Sequence, residues 1–389
     1  MPHTSVSEHA AHIRSLVSFG GVETVPLNEA LGRCLVTDAT TPVDLPLFRN
    51  SQMDGFAVRA ADVQAGVTLP VVGVVAARPG TPARLDAGTS VRIMTGAVVP
   101  DGADLVVRLE DTSSVGDTVT FTRSYNAGTY VRERGSDATA GTVIVAGNTV
   151  IASRHIGALA AAGISEIEVK KKPRVAVITT GAELVDASAT PQLGQLFDSN
   201  LAAMSAAIVA AGGVVVGAHR VTDDVDELLA VLAGIEADVI VTSGGISMGD
   251  YEVVRLALEP LGASVGHIAM QPGGPQATAV FDGTPVLCFP GNPVSTQISF
   301  EVFLAPLLRE AAGIPQHEKQ WRRLAQLVDS IPGKRQFLRG RRVDGGRVEV
   351  VAGPGSHLVA GLAASDVLID IPEDVTELQE GDAVECWVL

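Results

Sequence analysis

The segment "ADVIVTSGGISMGDYEVVRLALEPLG" (237–262) runs from a continuous apolar stretch through a glycine loop into residues with helical spacing. A strand with no polar alternation is buried on both faces, as in a parallel sheet covered by helices. The same order of strand, glycine turn and helix repeats on either side. "RVAVITTG" (174–181) reads as a strand entering a turn. "DSNLAAMSAAIVAAGG" (198–213) reads as a helix capped by Asp198 or Ser199 and closed by Gly212 and Gly213. "VVVGAHR" (214–220), "ASVGHIAM" (263–270) and "TPVLCFPGN" (284–292) are further strands. "DDVDELLAVLAGIE" (223–236) and "PVSTQISFEVFLAPLLREAAG" (293–313) are helices. The alternation predicts a doubly wound parallel α/β domain over 171–316, whose ligands sit beyond the carboxyl ends of the strands. The glycine loops all follow strand ends, so they share that face.

Outside this domain the texture changes. Residues 4–19 and "PLNEALGRCLVTDA" (26–39) read as helices, and "TVIVAGNTVIASRHIGALAAAG" (142–163) as a strand and then a helix with Ser153 as N-cap. Between them, residues 42–138 form short Val-rich runs between Gly, Pro and Asp, the pattern of a small β domain. Residues 1–41 with 139–170 are therefore expected to form a split N-terminal domain interrupted by that insertion. Residues 317–389, with "RVEVVAG", "DVLIDIP" and "AVECWVL", are expected to form a small β module.

At 389 residues the chain has room for two to four domains. Its net charge of −16 argues against nucleic acid as the main partner, since phosphate neutralisation needs a dense basic surface. Cys34, Cys288 and Cys386 are far apart and form no C-x-x-C pair, which gives neither a zinc site nor a disulfide framework. No apolar run approaches a membrane span, and the N-terminus lacks a signal-peptide core, so a cytoplasmic protein is expected.

Several short motifs fall on the predicted binding face. In "VTSGGISMGDY" (241–251), Gly244, Gly245 and Ser247 offer donors to a phosphate ahead of a helix, or serve only as a tight turn with Asp250 as cap. In "CFPGNPVST" (288–296), Pro290, Gly291 and Asn292 lead into a helix that starts at Pro293 and carries Ser295; that start is an anion site or a well-capped end. Glu183, Asp223 and Asp224 are cap and loop residues or, gathered at one sheet edge, ligands for Mg²⁺. In the inserted domain Asp54, Thr95 and Asp137 occupy turns. "GKRQFLRGRR" (333–342) is the one basic cluster, and "GPGSHL" (353–358) is a tight turn. "QPGGPQATAV" (271–280) reads as an anion-facing loop with no Lys, Arg or His. P-loop, zincin and α/β-hydrolase motifs do not occur.

Taken together, "NSQMDGFAV", "VRIMTGAVVPDGAD", "YVRERGSD", "VAVITTGAEL", "VTSGGISMGDY", "CFPGNPVST", "FLRG" and "GSH" follow one order, and over the whole chain that order resembles the MoeA/gephyrin E-domain family. The resemblance implies a molybdopterin molybdenumtransferase that converts adenylylated molybdopterin and molybdate into molybdenum cofactor and AMP with Mg²⁺. It implies a molybdopterin-binding α/β domain, a C-terminal β-barrel, and a homodimer whose site is shared between subunits. By motif, Asp54, Thr95 and Asp137 belong to the site from the inserted domain, and Glu183, Asp223, Asp224 and Asp250 form the acidic group. Glu183, Asp224 and Asp250 are the implied metal ligands. Gly244, Gly245 and Ser247 would approach the pterin phosphate, and Ser295, Arg339 and Ser356 the molybdate. The chain departs from the family at Gln271 and Gly274, where the usual loop reads Lys-Pro-Gly-Lys-Pro, and at Ala182, where the family has Asp. A paralogue of weak insertase activity that binds a pterin or acts as a scaffold is the alternative. A nucleotide-hydrolysing relative that shares only the α/β domain fits the full-length match less well.

Overall fold

The computed structural model describes residues 4–246 and 252–389. The chain forms two compact units, residues 24–168 and residues 1–23 with 169–389.

The first of these is built on a six-stranded sheet. Its strands are β1 (Gly55–Val58), β2 (Thr68–Val75), β3 (Ser90–Ile93), β4 (Leu105–Arg108), β5 (Thr112–Val115) and β6 (Thr118–Phe121), in the order β4–β1–β3–β2–β6–β5. The small β fold expected for this stretch is present. The helix expected over 26–39 is not: only Leu27–Glu29 make a 3₁₀ turn. The backbone donors beyond it bond to distant carbonyls. Gly32 donates to Ile151 at 2.8 Å, Leu35 to Thr149 at 2.9 Å, and Cys34 bridges Val150. Those bonds replace the i→i−4 ladder that a helix requires. Ser153 is likewise inside the helix Ser153–Ala161 rather than its cap; Ala152 is the N-cap, and its N–H is taken by His155 Nδ1 at 3.0 Å.

The larger unit carries the alternating pattern. After helix α1 (Val6–Leu16) come β7 (Arg174–Thr180), α2 (Ser199–Ala210), β8 (Val214–Val221), α3 (Val225–Ala233), β9 (Val239–Ser243), α4 (Val253–Leu258), β10 (Ser264–His267), β11 (Met270–Gln271), β12 (Pro275–Phe281) and β13 (Thr284–Phe289). The sheet order is β8–β7–β9–β13–β12–β10. β8, β7, β9 and β13 are mutually parallel, whereas β12 is antiparallel to both of its neighbours. The sheet is therefore mixed, not wholly parallel. The second half of "QPGGPQATAV" is the reversed strand, and only its first half is loop.

Alternation along β7 sends Val175 and Val177 to one core and Ala176 and Ile178 to the other, all fully buried. Fully burying a Val or Ile stabilises by about 1.5–3 kcal/mol. The helix after β13 is continuous but changes pitch: α5 (Pro293–Ser299) passes through a π turn (Phe300–Leu304) into α6 (Ala305–Ala312). No described helix is long and apolar enough to cross a membrane.

The C-terminal strands β14 (Lys319–Leu324), β15 (Arg335–Val343), β16 (Arg347–Val350), β17 (Val367–Ile371) and β18 (Ala383–Val388) close on themselves as β15–β16–β14–β18–β17–β15. This five-stranded barrel is filled by Leu324, Leu338, Val348, Ile369 and Cys386. β11, from the glycine loop of the α/β sheet, adds to β15 in parallel with Met270 opposite Arg335 and Gln271 opposite Gln336. The sheet and barrel are joined at that loop.

α1 closes one face of the sheet. Ser5 and Glu8 form a capping box at its start, and Val6 and Ile13 enter the core. His9 lies on the same stripe, edge-on to Phe303 at 4.9 Å and 3.2 Å from Gln276 Oε1. Burial lowers its pKa to about 4. A histidine held neutral in the fold binds its proton less well than the unfolded chain does, so stability is complete above the unfolded pKa near 6.5 and is lost as pH falls toward 4. We predict that urea denaturation of the wild type, relative to His9→Gln, loses about 3 kcal/mol between pH 7 and pH 4. A pH-independent difference would show that the imidazole is not buried neutral.

Candidate active site

Three turns rise from the carboxyl ends of β7, β9 and β13, where parallel sheets place their ligands. With the 271–275 loop and the 354–357 turn of the barrel unit, they surround a cavity of about 990 Å³. Its lining includes Glu183, Asp223, Gly244, Gly245, Gln271, Gly274, Pro290, Gly291, Asn292, Ser295 and Ser356. These residues, separated by up to 173 positions in the sequence, are brought to one cavity by the fold.

The floor is made by close backbone approach. Gly244 has φ +99°, and a Cβ there would lie 2.8 Å from both the carbonyl oxygen and Oγ1 of Thr180. Gly291 is packed so tightly that its Cβ would come within 3.2 Å of the Gly244 Cα. Gly244→Ala is therefore expected to destabilise the protein by about 1–3 kcal/mol, read as a lower thermal midpoint. An unchanged midpoint would mean the turn relaxes freely.

Beneath this floor lie two residues that sequence reasoning missed. Asn200 Nδ2 donates to Ser243 Oγ at 2.9 Å and to the Gly291 carbonyl at 2.7 Å, so it ties the β9 and β13 turns together. Its Oδ1 and the Thr180 hydroxyl are buried at the cavity without a hydrogen-bond partner among the described residues. Unsatisfied buried polar atoms in a cavity wall suit a ligand that brings the missing donors and acceptors. The signal was in the sequence: Asn200 shares the buried stripe of its helix with Met204 and Ile208. Asp198 is the N-cap of that helix, accepting from Leu201 N–H at 3.0 Å. It also accepts from Thr179 Oγ1 at 2.6 Å and Arg220 Nε at 3.1 Å.

On the acidic side, Asp223 Oδ2 accepts from the Ala182 N–H at 3.2 Å, which holds the β8 turn against the turn that bears Glu183. Asp224 is not a lining residue. Its Oδ1 accepts from the N–H groups of Asp226 and Glu227 at 2.8 and 3.0 Å, so it caps the helix that follows. Ser247 and Asp250 lie outside the described residues. No group of three or more His, Cys, Asp or Glu suited to a metal occurs among the described residues. Glu183 and Asp223 nonetheless form a donor set that fits Mg²⁺, which takes one or two carboxylates together with substrate phosphates.

At the helix start, Asn292 occupies the N-cap position, but its side chain makes no cap bond. The Val294 N–H instead donates to the Ser356 carbonyl at 3.1 Å, which docks the barrel turn on the helix. Ser295, 3% exposed, faces that junction. Arg339 does not line the cavity. It is 1% exposed and donates from Nη1 to the Gly355 carbonyl at 3.0 Å and from Nη2 to that of Gly353, so it supports the turn that bears Ser356.

In the other unit, Asp54 Oδ1 accepts from the Thr95 N–H at 2.7 Å and its hydroxyl at 2.9 Å. Those bonds, the backbone one foremost, lower the Asp54 pKa below the ordinary carboxylate value. Asp137 is exposed, and its N–H donates to the Leu45 carbonyl at 2.9 Å. All three belong to the other unit.

Fold and cavity thus define an α/β ligand-binding protein whose site is completed by a barrel in the same chain. The family profile for the MoeA N-terminal region (domain I and II) matches residues 4–163, that for a probable molybdopterin binding domain residues 176–310, and that for the MoeA C-terminal region (domain IV) residues 322–389. The chain is 39% identical to molybdopterin molybdenumtransferase 2 of Mycobacterium tuberculosis over 99% of both chains. It is 34% identical to molybdopterin molybdenumtransferase 1 of that organism over 98% of both. A molybdopterin biosynthesis MoeA protein from Pyrococcus horikosii superposes with a TM-score of 0.82 at 32% identity, covering 100% of this chain and 99% of its own. The chain belongs to the MoeA family of molybdopterin molybdenumtransferases.

Proposed function

We propose that this protein inserts molybdenum into adenylylated molybdopterin, giving molybdenum cofactor and AMP. The observation that carries the reading is the cavity over the sheet, in which the acidic turns, the glycine floor and the Ser295–Ser356 junction face one another. The curated relatives named molybdopterin molybdenumtransferase support it over the full length of the chain.

Each wall has a distinct task. The 244–245 turn brings backbone close to the pterin phosphate, and Gly is needed there because any side chain would meet Thr180. The helix start at Pro293, with Ser295 and the docked Ser356 turn, faces molybdate with the positive end of the helix. Glu183 and Asp223 would hold Mg²⁺, which when bound neutralises and polarises the phosphoanhydride. The protein's own work is to align the two anions and exclude water, since such reactions depend mainly on positioning and charge. We further propose a homodimer in the cytoplasm in which Asp54, Thr95 and Asp137 serve a site shared between subunits; the exposed Asp54–Thr95 clasp supports their availability.

Complementation tests the reading. In a bacterial strain lacking its own insertase, the gene should restore a molybdoenzyme at ordinary molybdate levels. Failure at every molybdate level with folded protein would favour the alternative of a pterin-binding or scaffolding paralogue.

A further inference from the structure

We infer that His267 and Lys334 are the basic side chains that face the tetrahedral oxyanion of the substrates, in place of any Lys, Arg or His on the 271–275 loop. This rests on the insertion reaction proposed above. Both substrates are anions, and the described cavity lining carries Glu183, Asp223 and Glu252, beside Asp198 paired with Arg220, against few bases. A poorly compensated anion is costly to desolvate. The 271–275 loop itself has no cation.

Lys334 is set apart within its own cluster. Arg335 is bidentate on Asp370 at 2.7 and 2.5 Å, Arg341 pairs with Glu349, Arg342 pairs with Asp366 at 2.9 Å, and Arg339 is spent on two carbonyls. Lys334 lines the cavity and makes no ion pair among the described residues. The parallel pairing of β11 with β15, together with the Arg335 N–H bond to the Ala269 carbonyl at 2.9 Å, places it beside the loop.

His267 ends β10 opposite Pro275. A Cβ on Gly274 would lie 2.5 Å from His267 Nε2 and 2.6 Å from Cε1. The imidazole therefore fills the space in which a side chain at 274 would begin. A basic group reaches this part of the wall from the strand, and the loop position stays glycine to admit it. His357, the remaining base of the lining, belongs to the Ser356 turn.

The oxyanion is molybdate or the pterin phosphate, and separate titrations distinguish them. With purified protein, the rate of AMP release is measured while molybdate and adenylylated molybdopterin are varied in turn. His267→Ala and Lys334→Gln should each raise the half-saturating concentration of one of the two by about tenfold, with kcat within about twofold. Whichever substrate responds is the one these two side chains face. Gly274→Lys alone should give no gain, because the imidazole holds that space, whereas His267→Ala with Gly274→Lys should recover the lost affinity. Unchanged half-saturation for both substrates in the folded single variants would overturn the inference. If the wild type releases no AMP, the insertion reading fails instead. Calorimetric titration of molybdate and of inorganic phosphate into wild type and Lys334→Gln then decides this inference alone, weaker binding of either supporting it and equal binding refuting it.

Discussion

Asp223→Asn and Glu183→Gln are each expected to lower molybdenum insertion by about a hundredfold or more, with thermal stability nearly unchanged. Asparagine at 223 keeps an oxygen to accept from the Ala182 N–H, so the turn stays in place and only the charge is lost. Both carboxylates are exposed at the cavity, and neither has an ion-pair partner among the described residues, so their removal leaves no buried partner stranded. Asp224→Asn is expected to behave differently. Its oxygen caps the following helix, and asparagine is an equally good cap, so neither activity nor stability should change much. Turnover of the three variants at saturating Mg²⁺ separates the two neighbouring aspartates. Comparable losses at 223 and 224 would contradict the assignment.

Arg339→Met is expected to reduce kcat/KM by about ten- to a hundredfold while changing global stability far less. The guanidinium is fully buried with no carboxylate partner among the described residues, and burial shifts its pKa below the ordinary arginine value. Replacing a buried charge by an apolar chain of similar volume is often close to neutral for stability. The two carbonyls of the 353–355 turn, however, lose their donors, and the Ser356 carbonyl that receives the Val294 N–H is carried by that turn. Lysine should not rescue it, because a single ammonium does not reproduce the planar fork that reaches both carbonyls. Steady-state kinetics beside thermal unfolding reads the two effects separately. A stability loss as large as the activity loss would make Arg339 a simple core residue.

The α/β domain was legible because its strands are unbroken apolar runs and its helices carry clear caps, such as Asp198 on α2. The shared face of the glycine loops followed from the same pattern. Other features depend on contacts that no local pattern encodes. "PLNEALGRCLVTDA" has helix-compatible spacing, yet its donors bond to the 149–151 segment far along the chain. The reversal of β12 is set by its hairpin with β13, which a run of small and branched residues does not announce. Arg339 has the residue type of an anion ligand, and only burial reveals that it holds a turn. The pairing of Gly274 with His267 exists only once β10 and β12 are in register.

Incubating the purified protein with adenylylated molybdopterin, molybdate and Mg²⁺ and measuring both products tests insertion itself. One AMP is expected for each molybdenum-loaded pterin formed, with both signals falling about a hundredfold or more in Asp223→Asn. Folded wild-type protein that releases no AMP and loads no molybdenum at any molybdate concentration would contradict it.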